Sequence, residues 1–282
     1  MKKKKKGTSV LLALIFLAGL SLLLYPSISN YWNAKHQTQA ITSYVESVSS
    51  FVEEKYDRFY QKAVDYNAGM QNRSNAYLLP EEEKKQYQEL LDITGTGIMG
   101  YIDIPSIKVS LPIYHGTSDA VLQIGVGHLD WTSLPVGGDS SHCVLSGHRG
   151  LPSSRLFTDL DRVVEGDIFM IQVLHEVLTY EVDQILIVDP EDTDALKIEH
   201  GKDFCTLVTC TPYGINTHRL LVRGHRIETV EAAATVRITA DAIQVEEMVV
   251  APILGVPILI IFLIALSVGS KRRKDRSDDL YI

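Results

Sequence analysis

Residues 206–226 read TLVTCTPYGINTHRLLVRGHR, and this stretch decides which fold the chain adopts. A β-branched run ends at Cys210, a turn rich in proline and glycine follows, and an apolar run resumes after Arg219. This pattern predicts two antiparallel strands joined by a loop. If the turn centres on Gly214–Ile215, Cys210 and Arg219 lie opposite each other, with Cβ atoms ~4.5–5.5 Å apart. The guanidinium group would then lie beside the sulfur, or beside the group that the sulfur attacks.

A nucleophilic cysteine needs a basic or cationic neighbour, because a free thiol with a pKa of ~8.5 is only a few per cent thiolate at neutral pH. Two GHR tripeptides supply the candidates His148 and His225. His225 lies six residues beyond Arg219 on the same strand, which is about 20 Å at ~3.3 Å per residue and too far for contact. His218 points to the face opposite that of Arg219. His148 ends an apolar run and begins a loop, which places it at a strand end where it could meet the sulfur.

The three cysteines are Cys143, Cys205 and Cys210, too few for a disulfide scaffold, and their odd number leaves at least one thiol free. Cys205 and Cys210 lack a second Cys/His pair at zinc-finger spacing, so we expect no metal and no cofactor. Cys143 and Cys205 have no catalytic partners in the pattern and are expected in the core. By spacing alone, Cys210 is as compatible with a buried small hydrophobic residue as with a nucleophile.

The sequence between residues 100 and 227 consists of short β-rich runs separated by Gly, Pro, Asp and Asn. Strands at this spacing, without long intervening helices, predict a mainly β fold that is either a sandwich or a barrel. One segment, TDLDRVVEGD at 158–167, predicts a turn or a short helical element between two of these strands.

The segment before residue 100 has helical periodicity. Apolar residues from Ile41 to Ala63 recur at three- and four-residue steps, which predicts one long amphipathic helix. Residues 67–80 carry turn-forming Asn and Gly and predict a loop. Pro80 is followed by three glutamates and predicts the start of a short helix, because Pro fits a first helical turn and acidic side chains favour the positive end of the helix dipole.

Both ends of the chain predict membrane segments. MKKKKKG precedes an uncharged run at 10–25, which is either a cleaved signal peptide or an uncleaved anchor. Residues 248–268 carry no charge, and at ~1.5 Å per residue they span the ~30 Å hydrocarbon core of a bilayer. The sequence KRRKDR follows at once. Basic residues flank both spans, so both termini are expected in the cytoplasm and the middle of the chain outside.

The charge of that middle segment excludes some partners. Of 27 basic and 35 acidic residues in the chain, five lysines precede the first span, and five basic and three acidic residues follow the second. The segment between the spans therefore holds 17 basic and 32 acidic residues, a net charge of −15. A surface this acidic argues against nucleic acid or other polyanions as the main partner.

Four blocks of the sequence resemble the sortase family. LSGHRGLPSSRLFTDLD (145–161) and residues 206–226 are similar to the histidine and TLxTC blocks of sortases. MGYIDIP (99–105) and SLPVGG (133–138) also match the family's pattern, so the resemblance covers about residues 100–227. It implies a closed β-barrel and an extracytoplasmic cysteine transpeptidase of Gram-positive bacteria. Such an enzyme cuts an LPxTG-like sorting signal and joins its threonine carbonyl to an amine.

By position, the resemblance implies that Cys210 is the nucleophile, His148 the acid/base and Arg219 the group that stabilises the oxyanion or the substrate. The two predicted membrane spans and the helical N-terminal extension resemble the class C, pilin-polymerising branch, in which the amine is a pilin lysine. Class C sortases usually carry an Asp-Pro-aromatic lid after the N-terminal helix. Residues 67–80 contain no such triplet, so either a segment around 77–80 covers the site or the site is open.

These inferences divide the chain into six segments. They are a basic tail with the first span or signal at 1–26, a helical extension with a lid-like loop at 35–98, a catalytic sortase-type β-barrel with short helices at 99–229, a linker at 230–246, a transmembrane helix at 247–269 and a basic cytoplasmic tail at 270–282. The expected partners are the membrane, pilins or other surface proteins with a C-terminal LPxTG-like signal, and an acceptor amine from a pilin lysine or a cell-wall precursor. Three alternatives remain open: a housekeeping-type sortase that anchors proteins to the cell wall, a cysteine peptidase acting on peptidoglycan, and a tethered binding module without catalysis.

Overall fold

A computed structural model describes residues 3–70 and 79–229 of the chain. The linker, the second membrane span and the basic tail predicted at 230–282 lie outside the described residues, as does most of the lid-like loop. The helices are α1 Lys3–Ser49, α2 Glu53–Met70, α3 Glu81–Glu89 and α4 Asp119–Ile124. The strands are β1 Ile98–Ile104, β2 Val109–His115, β3 Val126–His128, β4 Ser141–Ser146, β5 Ile168–Val173, β6 Glu176–Val188, β7 Asp203–Thr211 and β8 His218–Ile227.

The eight strands of the described residues form a closed barrel in the order β1-β2-β3-β4-β7-β8-β6-β5, with β5 paired back to β1. The pairs β2/β3 and β4/β7 are parallel, and the other pairs are antiparallel. A closed barrel leaves no unpaired sheet edge, which suits short strands that each bury one face. The predicted mainly β, barrel-type fold is confirmed, and the short helical element predicted at 158–167 is present as a 3₁₀ turn at Leu160–Arg162.

Alternation along β7 and β8 separates an inner from an outer face. Cys205, Leu207 and Val222 point into the barrel and belong to its main apolar core. The residues that alternate with these along β7 and β8 point outward. On this outer face a second apolar cluster is formed by Val144, Leu196, Val208 and Leu221. Packed against it are Leu129, Trp131, Leu186 and Val188. We call this second group the outer cluster. The barrel wall near the end of β7 is therefore apolar on both faces.

The predicted single helix at 41–63 is wrong, because α1 ends at Ser49 and α2 begins at Glu53. Three serine side chains near the break donate to preceding backbone carbonyl groups, the last being Ser50 Oγ to the Ser47 carbonyl at 2.7 Å. Phe51 N donates to the Val48 carbonyl at 2.9 Å, which is the spacing of a 3₁₀ turn. Serines that bond locally compete with helical hydrogen bonding, and the helix stops there.

The predicted loop at 67–80 begins too early, because α2 continues to Met70. Asn67 is buried, its amide donates to the Leu134 carbonyl at 3.0 Å and it accepts from Leu134 N at 2.7 Å. Met70 and Leu79 are buried in the main core. These tertiary contacts override the turn propensity of Asn and Gly, whereas the helix predicted after Pro80 is confirmed as α3.

The described residues fall into two compact units, 3–28 and 29–229. In the first unit, α1 includes the apolar run predicted as the first span. Among the described residues, one helix near the N-terminus is long and apolar enough to cross a membrane, a test that a signal sequence also passes. In the second unit, Tyr44 of α1 is buried against the barrel, donating to the Met99 carbonyl at 2.9 Å and accepting from Leu174 N at 2.7 Å.

Candidate active site

Cys210 lies one residue before the end of β7, on the outer face of the barrel. Cys210 is partly exposed, whereas Cys143 and Cys205 are buried in the main core. Cys205 pairs with Cys143 across the parallel strands β4 and β7, and burial raises the pKa of the Cys205 thiol. The structure therefore separates Cys210 from the other two thiols. Cys205 and Cys210 also point to opposite faces, which does not suit a shared zinc ion.

Arg219 lies directly opposite Cys210 in the register of β7 and β8, so the predicted hairpin pairing is confirmed. Partners in a register share a face, so the guanidinium group and the sulfur are both on the outer side. Arg219 Nη1 donates to the carbonyl groups of Asn216 at 3.3 Å and His218 at 3.1 Å. Asn216 lies in the β7–β8 connection and His218 is the first residue of β8, so the two carbonyl groups hold the arginine at the strand end.

His148 follows β4, which runs parallel to β7 with Ser146 paired to Val208. Continuing that register by two residues brings His148 level with Cys210. Gly147, which lies between Ser146 and His148, is held to β7 by two hydrogen bonds. Gly147 N donates to the Val208 carbonyl at 3.0 Å, and Thr209 Oγ1 donates to the Gly147 carbonyl at 2.8 Å. The parallel pairing therefore places the histidine at the end of the strand that carries the sulfur.

Arg149 joins the histidine loop to the cysteine strand, a role that the sequence analysis did not find. Its Nη2 donates to Asp161, and its Nη1 donates to Thr211 Oγ1 at 3.4 Å. Its guanidinium carbon lies 5.8 Å from the centroid of the Tyr213 ring. In the sequence, Arg149 is visible only as the third residue of the first GHR tripeptide. Its partners lie 12 and 62 residues away, so the sequence does not reveal them.

Three other histidines have different surroundings. His225 pairs with Phe204 in the β7–β8 register, six residues from the level of Cys210, as predicted. His218 is at the strand end, with Nε2 3.6 Å from Asp189. His142 is buried, its Nδ1–H donates to the Lys197 carbonyl at 2.9 Å and its Nε2 accepts from Thr206 Oγ1 at 2.7 Å. Burial lowers the pKa of His142 to about 4.

The chain matches the sortase-domain family model over residues 102–227. It is 50% identical to a crystal structure of sortase C1 from Streptococcus agalactiae, matching 100% of that chain and 68% of this one with a TM-score of 0.67. The chain belongs to the sortase family. The resemblance to sortases stated from the sequence is thereby confirmed.

Two further relatives place this sortase within the family. It is 42% identical to a sortase C from Streptococcus pneumoniae, whose crystal structure is described in terms of catalysis and pilin substrate specificity; the match covers 97% of that chain and 68% of this one with a TM-score of 0.63. It is 32% identical to sortase D from Bacillus subtilis over 131 residues, which are 45% of this chain and 63% of that protein. The two similar solved structures named above are both sortase C proteins, which agrees with the class C resemblance of the sequence.

Proposed function

We propose that this sortase is a membrane-anchored cysteine transpeptidase. It cleaves an LPxTG-like sorting signal and transfers the acyl group to an amine, and we propose a pilin lysine as that amine. One observation supports the proposal: Cys210 pairs with Arg219 across β7 and β8, and the parallel pairing of β4 with β7 ends two residues before His148 and Cys210. The similarity to class C sortases, one of them described in terms of pilin substrate specificity, supports the choice of amine.

The proposed reaction has two steps. The Cys210 sulfur attacks the carbonyl carbon of the threonine in the sorting signal, and Arg219 stabilises the negative charge that develops on the carbonyl oxygen, an effect worth about 3 kcal/mol in comparable sites. The C–N bond after the threonine breaks, His148 gives the leaving amine the proton that it took from the Cys210 thiol, and a thioester remains. The acceptor amine then attacks the thioester carbon, the C–S bond breaks with its electron pair returning to sulfur, and His148 takes the amine proton. A covalent intermediate divides one difficult step into two easier ones.

The outer face beside Cys210 is the place we propose for the sorting signal. The residues that define the outer cluster are buried there, but the side chains packed against them are partly exposed: Leu129, Trp131, Leu186 and Val188. Val208 and Leu221 lie two residues from Cys210 and Arg219 respectively, on the same face. We propose that the leucine and proline of the signal pack on the partly exposed side chains of this face, so that the threonine carbonyl reaches the sulfur. Burial of apolar side chains there would contribute ~25 cal/mol per Å² to binding.

The experiment that tests this function is acyl-enzyme capture. The full chain in detergent is mixed with an LPETG-containing peptide, and the mass of the protein is measured before and after hydroxylamine is added. We expect an adduct that ends in threonine, located on Cys210 and released by hydroxylamine. An adduct formed from a peptidoglycan fragment instead would indicate the peptidase alternative, and an absence of labelling at Cys210 by any thiol reagent would indicate a binding module.

The acceptor and the topology need their own measurements. Transfer to a purified pilin lysine in preference to a cell-wall precursor amine separates the pilus-assembling reading from the anchoring one. For topology, we propose that both basic ends are cytoplasmic and that the barrel is outside. Protease added to intact protoplasts should then digest the barrel and spare both ends, and mass analysis of the mature N-terminus shows whether the first span is cleaved.

A further inference from the structure

A pocket lies beside the proposed catalytic residues but on the other side of the barrel wall. Its volume is about 450 Å³, and its walls include Ile185 and Ile187 of β6, Leu220 of β8 and Thr211 of β7. In the strand registers these four residues alternate with the outward-facing ones, so they belong to the inner face at the barrel's end. The outer cluster and the Cys210 sulfur are on the opposite face. The pocket is therefore separate from the surface proposed for the sorting signal.

The pocket adjoins both proposed catalytic residues through their chain neighbours. Thr211 follows Cys210, and Arg149 follows His148; both line the pocket. Arg149 Nη1 donates to Thr211 Oγ1 at 3.4 Å, which ties the two chain segments together at the pocket wall. A group held here is one residue along the chain from the sulfur, at the strand end where the two faces meet.

Arg149 also gives the pocket an unmet hydrogen-bonding group. Its side chain is 9% exposed. Both of its terminal nitrogens have partners, but Nε is buried with no hydrogen-bond partner among the described residues. A buried N–H without an acceptor is destabilising, and a bound carbonyl oxygen would satisfy it.

The rim of the pocket is unusually apolar for exposed surface. Ile187 is 64% exposed and Tyr213 is 60% exposed, and both line the pocket. Val164, the neighbour of the pocket residue Val163, is 60% exposed. Exposed apolar side chains grouped around a concave site mark places where another polypeptide or ligand binds.

We infer that this pocket binds the acyl acceptor, a lysine-bearing polypeptide segment, during the second step of the proposed reaction, and the inference rests on that proposed function. An apolar side chain next to the acceptor lysine fills the pocket, and a backbone carbonyl of the segment accepts from Arg149 Nε. The lysine nitrogen then passes round the end of β7 and attacks the thioester carbon. The C–N bond forms, the C–S bond breaks with its electron pair going to the Cys210 sulfur, and the proton of the amine goes to His148.

Charge favours this occupant over the donor peptide. The segment between the two predicted membrane spans carries a net charge of −15, and Asp161 at the pocket is half-exposed although it also accepts from Arg149 Nη2. Such a surface attracts an ammonium group and raises its local concentration. Two substrates that meet at one thioester must also approach from different sides, and the two faces of the barrel wall provide those sides.

The test compares acceptors for one preformed acyl-enzyme. The full chain in detergent is acylated with an LPETG peptide, and transfer is measured to hydroxylamine and to the peptides Ac-ALKLA-NH₂ and Ac-ASKSA-NH₂. We expect kcat/KM for the leucine-flanked lysine to exceed that for the serine-flanked lysine by about tenfold, the discrimination of a pocket that recognises one or two methylenes. In Ile187→Ser this preference should fall below about twofold, while Ile124→Ser, which alters an exposed isoleucine on α4, should keep it.

The outcomes separate this inference from the proposed function. If no acyl-enzyme forms with the LPETG peptide, the proposed function fails. If the acyl-enzyme forms and hydroxylamine releases it, but the two lysine peptides are used equally, only the acceptor pocket is refuted. If Ile187→Ser slows acylation as much as it slows transfer to Ac-ALKLA-NH₂, the pocket binds the donor and the inference is overturned.

Discussion

The two GHR tripeptides allow a sharp test of the site, because they offer the same side chain in two places. We expect His148→Ala to lower kcat/KM for acylation by ~10²–10⁴, the range for removal of a general acid/base. We expect His225→Ala to change it less than about twofold. His225 pairs with Phe204, six residues before Cys210 on β7, which is about 20 Å at ~3.3 Å per residue. That is twice the screening length of ~10 Å at 0.1 M salt, so even the charge of His225 has little effect on the sulfur.

The assay measures both half-reactions in single turnover. An LPETG peptide gives the rate of acyl-enzyme formation by mass analysis, and an added amine gives the rate of transfer. Since His148 is proposed as acid in the first step and base in the second, His148→Ala should slow both. Circular dichroism of both variants controls for folding. We expect His225→Ala to fold normally, because the His225 side chain is 43% exposed and its Nδ1 lies 4.0 Å from Asp183. A loss of 10² or more in His225→Ala, with His148→Ala active, would refute both the role and the geometric reasoning.

Two further predictions concern the buried groups. Iodoacetamide should modify Cys210 first, and Cys210→Ala should abolish acyl-enzyme formation while Cys143→Ala and Cys205→Ala retain it, because the latter two thiols are buried in the core; cleavage by Cys210→Ala at a comparable rate would contradict this. The folded-state pKa of His142 is lowered from 6.5 to about 4. As the pH falls, His142 therefore takes up a proton in the unfolded chain before it does so in the folded protein. The stability that neutral His142 contributes is complete above about pH 6.5 and is lost towards pH 4. By pH 5 the loss amounts to about 2 kcal/mol of unfolding free energy; urea titrations should show a shallower pH dependence in His142→Gln, and an unchanged slope would rule the mechanism out.

The β7–β8 hairpin could be predicted because its information is local. A β-branched run, a Pro/Gly turn and a second apolar run fix the pairing within 21 residues, and Cys210 does face Arg219. The position of His148 depends instead on β4 lying parallel to β7, strands that are separated by more than fifty residues. The sequence of neither strand indicates which other strand it pairs with. The sequence could place His148 only at a strand end, and the structure adds which neighbour that strand has.

The elements that sequence analysis missed are short or depend on distant contacts. β3 has three residues, all buried, so it shows no alternation. α4 has six residues and is too short for a helical period to appear. Asn67 extends α2 by bonding to Leu134, 67 residues away. Arg149 reaches Asp161 in the 3₁₀ turn and Thr211 at the end of β7, 12 and 62 residues away. In each case the deciding interaction lies outside the window in which periodicity or turn chemistry can be recognised.

In each of the two GHR tripeptides the glycine has a packing role of its own. The tripeptide therefore occurs twice, although only His148 is proposed to act on the sulfur. A Cβ on Gly147 would lie 2.6 Å from the Phe157 ring, and a Cβ on Gly224 would lie 2.7 Å from the Phe169 ring. Both glycines therefore admit an aromatic ring against the backbone, one in the loop after β4 and one inside the barrel. A slip of β8 by one residue would press a side chain into Phe169 and turn Arg219 to the inner face. The second glycine thus helps to fix the register that sets Arg219 opposite Cys210, and its neighbouring histidine need not be catalytic to accompany it.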